Sequence, residues 1–388
     1  MFSYTLPCGG FKTLTKITET GISFDPPVYE QRYCAAIQIL EDARWLKEIK
    51  KVTEFGCAEM RLFQLMRRIE TIENILQVDV DQETLKTHLN RTNPLVSDFI
   101  RERQAPLQVQ VLLGSVADAA DELRNTDAVI ALELIEHVYE DVLAKIPGNI
   151  FGFMQPKIVI FSTPNSEFNE IFTRFSSLLP NGFRHHDHKF EWTREEFKSW
   201  CLGITEQYSN YMFALLGVGD PPQGDEAVGH VSQIALFVRK DTLGVSLTEP
   251  LTIQPALDTI SNYQSLHTVD FPYNKDTRTP EEKIWAEIET QLYRCTRDED
   301  NYDTERCVYK LSLDELARRL EYLGATRELL EKLLQLHKKM IENDFVLIEE
   351  EQEEEEEIEC SDWENPIYEQ SEPGVPIEGS LEEENWDV

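Results

Sequence analysis

The sequence predicts an α/β protein: a mixed, mostly parallel sheet with helices on both faces, then a helical extension and an acidic tail. Three observations carry this. Between residues 51 and 240, short apolar runs of strand length alternate with segments whose apolar residues recur at helical spacing. Such strand–helix units need cover on both faces of a sheet. From about residue 249 the pattern changes to leucine-rich helical spacing, and from about 342 to acid. Residues 341–388 hold 20 Asp and Glu and no Lys or Arg, so this stretch is expected to be disordered by self-repulsion. The expected organisation is an N-terminal extension (1–21), a principal α/β domain (22–248), a helical extension (249–341) and the tail (342–388).

Residues 27–48, "PVYEQRYCAAIQILEDARWLKE", place apolar side chains at helical spacing behind a proline that suits a first turn. "KVTEF" is then a strand and "AEMRLFQLMRRI" a helix with one apolar stripe. "NILQVDV" is a strand, "QETLKTHL" a helix, and "LQVQVLLG" and "DAVIALEL" are strands. "EHVYEDVLAKIP" reads as one helix, and "KIVIFSTPN" as a strand that ends at a proline. "TREEFKSWCLGI" is a helix whose Thr193 and Glu196 form a capping box. "QYSNYMFALLGV" and "HVSQIALFVRK" are strands separated by the turn-rich "GDPPQGDEAVG". In the extension, "SLDELARRLEYLGATRELLEKLLQLHKKM" predicts two helices, opened by a Ser312–Glu315 capping box and separated at Gly324. Their leucine spacing suits a packed helical hairpin; a helix-turn-helix that reads nucleic acid is the alternative.

Charge narrows the function classes. Outside the acidic tail, residues 1–340 carry 52 acidic residues against all 37 basic ones, which argues against a broad basic groove but leaves room for a local patch. No apolar run approaches the length of a membrane span, and "MFSYTLPCGGFKTLTK" lacks a secretory pattern. The seven cysteines are scattered, with no C-x-x-C pair, so the expectation is a soluble, monomeric protein of the reducing cytoplasm.

In a sheet of this kind a ligand lies at the carboxyl ends of the strands. "VTEFGCAEM" runs strand, acid, Gly, small residue, helix: a turn that brings backbone close to a ligand above a helix N-terminus. Asp79 ends the next strand, where an acid accepts ribose hydroxyls, and Gly114 and Ser115 end the third, where they line an adenine pocket. Together these resemble the class I S-adenosylmethionine-dependent methyltransferases. The resemblance implies that Glu54, Gly56 and Glu59 line the methionine end, Asp79 holds the ribose and Ser115 sits near the adenine. Ala58 replaces the usual glycine, which is tolerable if that residue keeps φ negative.

"ALELIEHVYED" places Glu133, Glu136 and His137 three and four positions apart, on one face if the chain is helical there. Two carboxylates and an imidazole facing one point repel when empty and are satisfied by a divalent cation; a plain helix N-terminus with acids in its first turn is the alternative. The discriminating segment is "FRHHDHKFEWTREEF" (183–197). "ALELIEH", "FSTPNSEFN" and "DHKFEWTR", with "SFDPPVYEQRY" ahead of them, closely resemble the small-RNA 3′-terminal 2′-O-methyltransferases of the HEN type, which modify Piwi-associated RNAs in animals. The resemblance covers about residues 22–240 and the short animal form, without the RNA-binding domains of the plant enzymes.

That resemblance implies Glu133, Glu136, His137 and His188 as ligands of Mg²⁺ or Mn²⁺, and as the catalytic set. Two imidazoles favour Mn²⁺. His185 and His186 are expected beside the site or on the surface. Four ligands leave an octahedral ion two positions, which a terminal ribose can fill with its 2′ and 3′ oxygens. Arg184, Lys189 and Arg194 form a candidate phosphate-binding patch, joined by Arg32; solvated surface charge is the alternative for each. Phe190 and Trp192 read as inward-facing strand residues, or else as a platform for the last base. The expected partners are the 3′ end of a single-stranded small RNA and a Piwi/Argonaute-type carrier. A small-molecule O-methyltransferase and a catalytically silent binding module are the competing functions; "DHKFEWTR" argues against the first and the intact ligand set against the second.

Overall fold

The computed structural model describes residues 1–10, 13–18, 21–175, 178–252 and 263–349. The acidic segment from residue 350 on lies outside the described residues. The described residues divide into two compact units, 1–275 and 276–349.

The first unit opens with a hairpin, β1 (Leu14–Thr18) and β2 (Gly21–Asp25), and helix α1 (Val28–Leu40). The alternation follows as β3 (Lys51–Phe55), α2 (Phe63–Met66), β4 (Asn74–Asp79), α3 (Gln82–His88), α4 (Val96–Ile100), β5 (Leu107–Leu113) and β6 (Ala128–Leu132). It continues with α5 (Glu140–Leu143), β7 (Ile158–Pro164), α6 (Asn169–Thr173), α7 (Arg194–Gln207), β8 (Tyr211–Val218), β9 (Ser232–Arg239) and β10 (Gln264–Phe271). Eight strands form one sheet in the order β10-β5-β4-β3-β6-β7-β9-β8. The five central strands are parallel; β10 and β9 run antiparallel to them, and β8, antiparallel to β9, closes the far edge. The central strands are the continuous apolar runs of the sequence because both of their faces are covered: all seven residues of β7 are buried. Strand order reverses between β3 and β6, so the turns after these two strands flank the crevice where such sheets bind ligands.

Several expectations are corrected. The helix expected over 58–69 shrinks to Phe63–Met66, because Ala58 and Met60 both take positive φ (+43° and +57°) in the turn before it. The helix expected over 136–147 is a 3₁₀ turn at Ile135–His137, an extended Val138 and the short α5, because the acids of this segment turn inward to partners on β7 and β9. The boundary at 248/249 moves to 275/276: the polar strand β10 completes the main sheet on β5. Its sequence, "QSLHTVDF", carries little apolar signal because it is an edge.

The second unit is not purely helical. It contains α8 (Pro280–Cys295), β11 (Tyr302–Asp303), β12 (Val308–Ser312), α9 (Leu313–Leu320), α10 (Arg327–Leu336), β13 (Met340–Glu342) and β14 (Phe345–Glu349), with sheet order β11-β12-β14-β13. Residues 342–349, expected in the disordered tail, are ordered: Glu342 ends β13, Asn343–Asp344, both at positive φ, close a hairpin, and Phe345–Glu349 form the inner strand β14, whose Val346 is fully buried. Ser312 makes no side-chain cap; it ends β12 and pairs with Phe345. Gly324 does stop α9's final turn, at φ +72°, and Thr326 caps α10. No helix among the described residues is long and apolar enough to cross a membrane.

Candidate active site

The turn after β3 is held by its neighbour strand: the Gly56 amide donates to the Val78 carbonyl at 2.8 Å. Gly56 has φ +70°, and a Cβ there would meet Leu134 Cδ1 at 2.9 Å. Leu134 lies between Glu133 and Glu136, so this glycine lets the two strand-end turns pack directly on each other. Ala58 adopts the left-handed conformation that had been expected to be avoided, and its amide donates to Asp79 Oδ2 at 2.9 Å. The other oxygen of Asp79 accepts the Asp81 amide at 3.0 Å. Val80, immediately beyond, is 69% exposed despite being apolar.

Glu54 is buried, its Oε2 has no hydrogen-bond partner, and burial pushes its carboxyl up to about 8. Glu59 differs from the expectation of a cofactor-lining acid: its carboxylate is engaged by Arg61 (2.8 Å) and Arg91 (3.1 Å). Ser115 follows β5 as expected, and its carbonyl accepts the Tyr263 hydroxyl at 2.7 Å. The Tyr263 ring packs where any side chain at Gly114 would stand. Sequence reading missed Tyr263 because it arrives from just before the unrecognised strand β10.

One strand over, Glu133 sits at φ +48° directly after β6. Its Oε1 accepts the hydroxyls of Ser162 (2.8 Å) and Ser232 (2.9 Å), and its Oε2 lies 3.6 Å from Arg32 Nη1. Glu136 is fully buried; Thr163 donates to its Oε2 at 3.0 Å, and its Oε1 has no partner. Burial and the nearby Glu133 raise its pKa well above the carboxylate range. The Glu136 carbonyl accepts the Lys189 amide at 2.7 Å, which pins the second histidine segment to the first. The His137 and His188 rings meet edge to face with centroids 4.9 Å apart. Burial and the neighbouring His188 lower the pKa of His137, which favours its neutral ring.

Glu133 and Glu136 face partners on β7 and β9, while tertiary contacts rather than a shared helix face bring the His137 and His188 rings together. His185 joins these rings: one ring nitrogen each of His137, His185 and His188 lie within 4.8 Å of one another. It was expected outside this set, and its only sequence signal was its place in a His-rich run.

The basic patch is corrected. Arg184 donates through Nε to Asn169 Oδ1 (2.6 Å), through Nη1 to the Val231 carbonyl (2.9 Å) and through Nη2 to the Asn165 carbonyl, so its guanidinium is an internal brace. Lys189 pairs with Asp187 at 2.8 Å, and Arg194 with Glu167 at 3.1 Å. Arg32 faces Glu133. All four cations already face acids or carbonyls of the chain. Phe190 and Trp192 pack, half-buried, against the core beside Phe197 and Trp200, although only a single bridge to Asn165, not a strand, forms there.

The small RNA 2′-O-methyltransferase of Drosophila melanogaster is 57% identical over 395 residues, covering 100% of this chain and 99% of that protein. The chain belongs to the HEN-type small RNA 2′-O-methyltransferase family. The Mus musculus family member is 35% identical over 273 residues, which is 69% of this chain and 65% of its own. A family model described as the HEN1 methyltransferase C-terminal domain matches residues 281–350, which nearly coincides with the second unit. The crystal structure of small RNA methyltransferase HEN1 superimposes with a TM-score of 0.51 at 27% identity, over 67% of this chain and 30% of that one. The α/β unit therefore has the S-adenosylmethionine-dependent methyltransferase fold.

Proposed function

We propose that the protein transfers the methyl group of S-adenosylmethionine to the 2′-hydroxyl of the 3′-terminal nucleotide of single-stranded small RNAs, with a divalent cation held by Glu133, Glu136, His137 and His188. The observation that carries this is the fully buried, partnerless Glu136 Oε1, near the Glu133 carboxylate and next in sequence to the His137 ring that meets His188. An unpaired buried carboxylate oxygen is costly unless a cation meets it, so the residues present fit the ion. They fit the methyl donor too: Glu54 Oε2 is buried and unpaired at the mouth of β3, Asp79 keeps lone pairs for ribose hydroxyls, and Val80 offers exposed apolar surface for a base.

When bound, the cation supplies Lewis acidity that lowers the pKa of a ribose hydroxyl. The chain's own residues supply the rest. Gly56 sets donor and acceptor turns in van der Waals contact, and Ser162, Ser232 and Thr163 aim the two glutamates. The neutral ring that burial favours at His137 keeps a lone pair available. As carrier of the RNA we propose a Piwi- or Argonaute-type protein in the cytoplasm, on the family resemblance alone.

The test is methyl transfer from labelled S-adenosylmethionine to a small RNA in Mn²⁺, comparing 3′-hydroxyl, 3′-deoxy and 3′-phosphorylated ends. Transfer to the 3′-hydroxyl alone, abolished by EDTA, is expected. Turnover on the 3′-deoxy end would overturn the terminal-ribose reading.

A further inference from the structure

We propose that Glu191 is the positioning residue of the cation site: it locks the ring plane and tautomer of His188, so that Nε2 keeps its lone pair for the ion. The inference rests on the reading of His188 as a ligand and adds a role to a residue whose own atoms need not touch the ion. His188 Nδ1 lies 2.6 Å from Glu191 Oε1. The Glu191 side chain is 1% exposed and that of His188 7%, so solvent cannot substitute for this contact.

The carboxylate is held on every side. Its Oε1 also accepts the Arg184 amide at 2.7 Å, and its Oε2 accepts Asn169 Nδ2 at 2.6 Å. Both Glu191 oxygens already accept N–H donors, so the oxygen facing Nδ1 acts as an acceptor and the proton of that bond sits on Nδ1, which leaves Nε2 bare. Asn169 is fixed in turn by the Arg184 guanidinium, and that guanidinium by the carbonyls of Asn165 and Val231, at the ends of β7 and β9. The "STPNSEFN" and "FRHHDHKFEW" motifs thus form one polar brace from the sheet to a single imidazole.

The partner of His137 is built differently. His137 Nδ1 faces Asp187 Oδ2 at 3.2 Å, but Asp187 is 53% exposed and shared with Lys189. An exposed, shared carboxylate exerts little orienting force. The two histidines therefore differ in how far their carboxylates matter.

The experiment measures Mn²⁺ affinity of the full chain by calorimetry, with metal-free melting as control. Glu191→Gln is expected to weaken binding about 10–100-fold while keeping a cooperative melt. Asp187→Asn is expected to change it less than about fivefold. Wild-type affinity in a folded Glu191→Gln, or an equal loss in both variants, would overturn the positioning role alone. Absence of Mn²⁺ binding by the wild type would overturn the cation reading itself. Nitrogen-15 spectra of metal-free wild type need no variant to fold: an Nδ1–H tautomer at His188 is expected, and an Nε2–H tautomer would overturn the proposal.

Discussion

The two compact units bury polarity in opposite ways. Under the cover of the first lie Glu54, Gln77, Glu136, Thr163 and Asn165, with partnerless atoms on Glu54, Gln77 and Glu136. Among the described residues of the second, Gln291 is the one buried polar side chain, set in a core led by Ile288, Leu316, Leu320, Leu330, Leu334 and Val346. Buried polar groups are normally paired, and each exception costs stability. The first unit accepts part of that cost at two adjacent strand ends, where Glu54 and Glu136 keep unpaired oxygens, as a site built for a ligand does. The second is packed for cohesion, so what it does for the enzyme must reside on its surface.

The largest expected effect tests the costly side of this contrast. Glu136→Ala should reduce methyl transfer by more than about 100-fold if the proposed cation site holds, because it removes the buried carboxylate assigned to the ion. Steady-state assay at saturating donor checks it, and near-normal transfer would place Glu136 outside the chemistry.

The cohesive side breaks by truncation. Ending the chain at residue 341 removes β14, the strand between β12 and β13, and should abolish cooperative melting of the second unit. Ending it at 349 should not. Equal melting of the two truncations by calorimetry would show that β14 adds nothing.

Arg184→Ala sits at the intermediate level. Loss of its hydrogen bonds from the buried brace should lower stability by about 2–4 kcal/mol, without changing the salt dependence of RNA binding. A flattened salt dependence with unchanged denaturant midpoint would restore it as a phosphate contact.

The smallest effect is a pH trend. A carboxyl whose folded pKa is raised stabilises the fold fully below its unfolded value, near 4.5, and that contribution is lost as pH rises through about 8. Glu54→Gln should therefore gain melting temperature relative to wild type between pH 5 and 8. A constant difference across that range would mean that Glu54 ionises freely.

The sequence itself determined the central sheet, because strands covered on both faces must be written as unbroken apolar runs such as "IVIFSTP" and "AVIAL". It determined the Thr193 cap of α7 and the Gly324 stop, which are local hydrogen-bond chemistry. The contact between the His137 and His188 segments was legible through motifs rather than through geometry. The helix-face argument for Glu133, Glu136 and His137 fails, since the segment is a 3₁₀ turn opened by a left-handed Glu133.

Only the tertiary structure decided the rest, wherever long-range polar partners overrode local preference. Ala58 accepts positive φ because Asp79, 21 residues on, receives its amide. Arg184 looked like a surface cation because its partners, Asn165, Asn169 and Val231, are distant in sequence. His185 enters the imidazole cluster only when the His188 segment docks through Lys189 on the Glu136 carbonyl. Strand β10 pairs across a long sequence gap with little apolar signal of its own, and β14, though apolar, is hidden at the edge of the acidic run and pairs with the distant β12. Periodicity reports which face of an element is buried; it cannot report which donor waits across the crevice for a particular carboxylate.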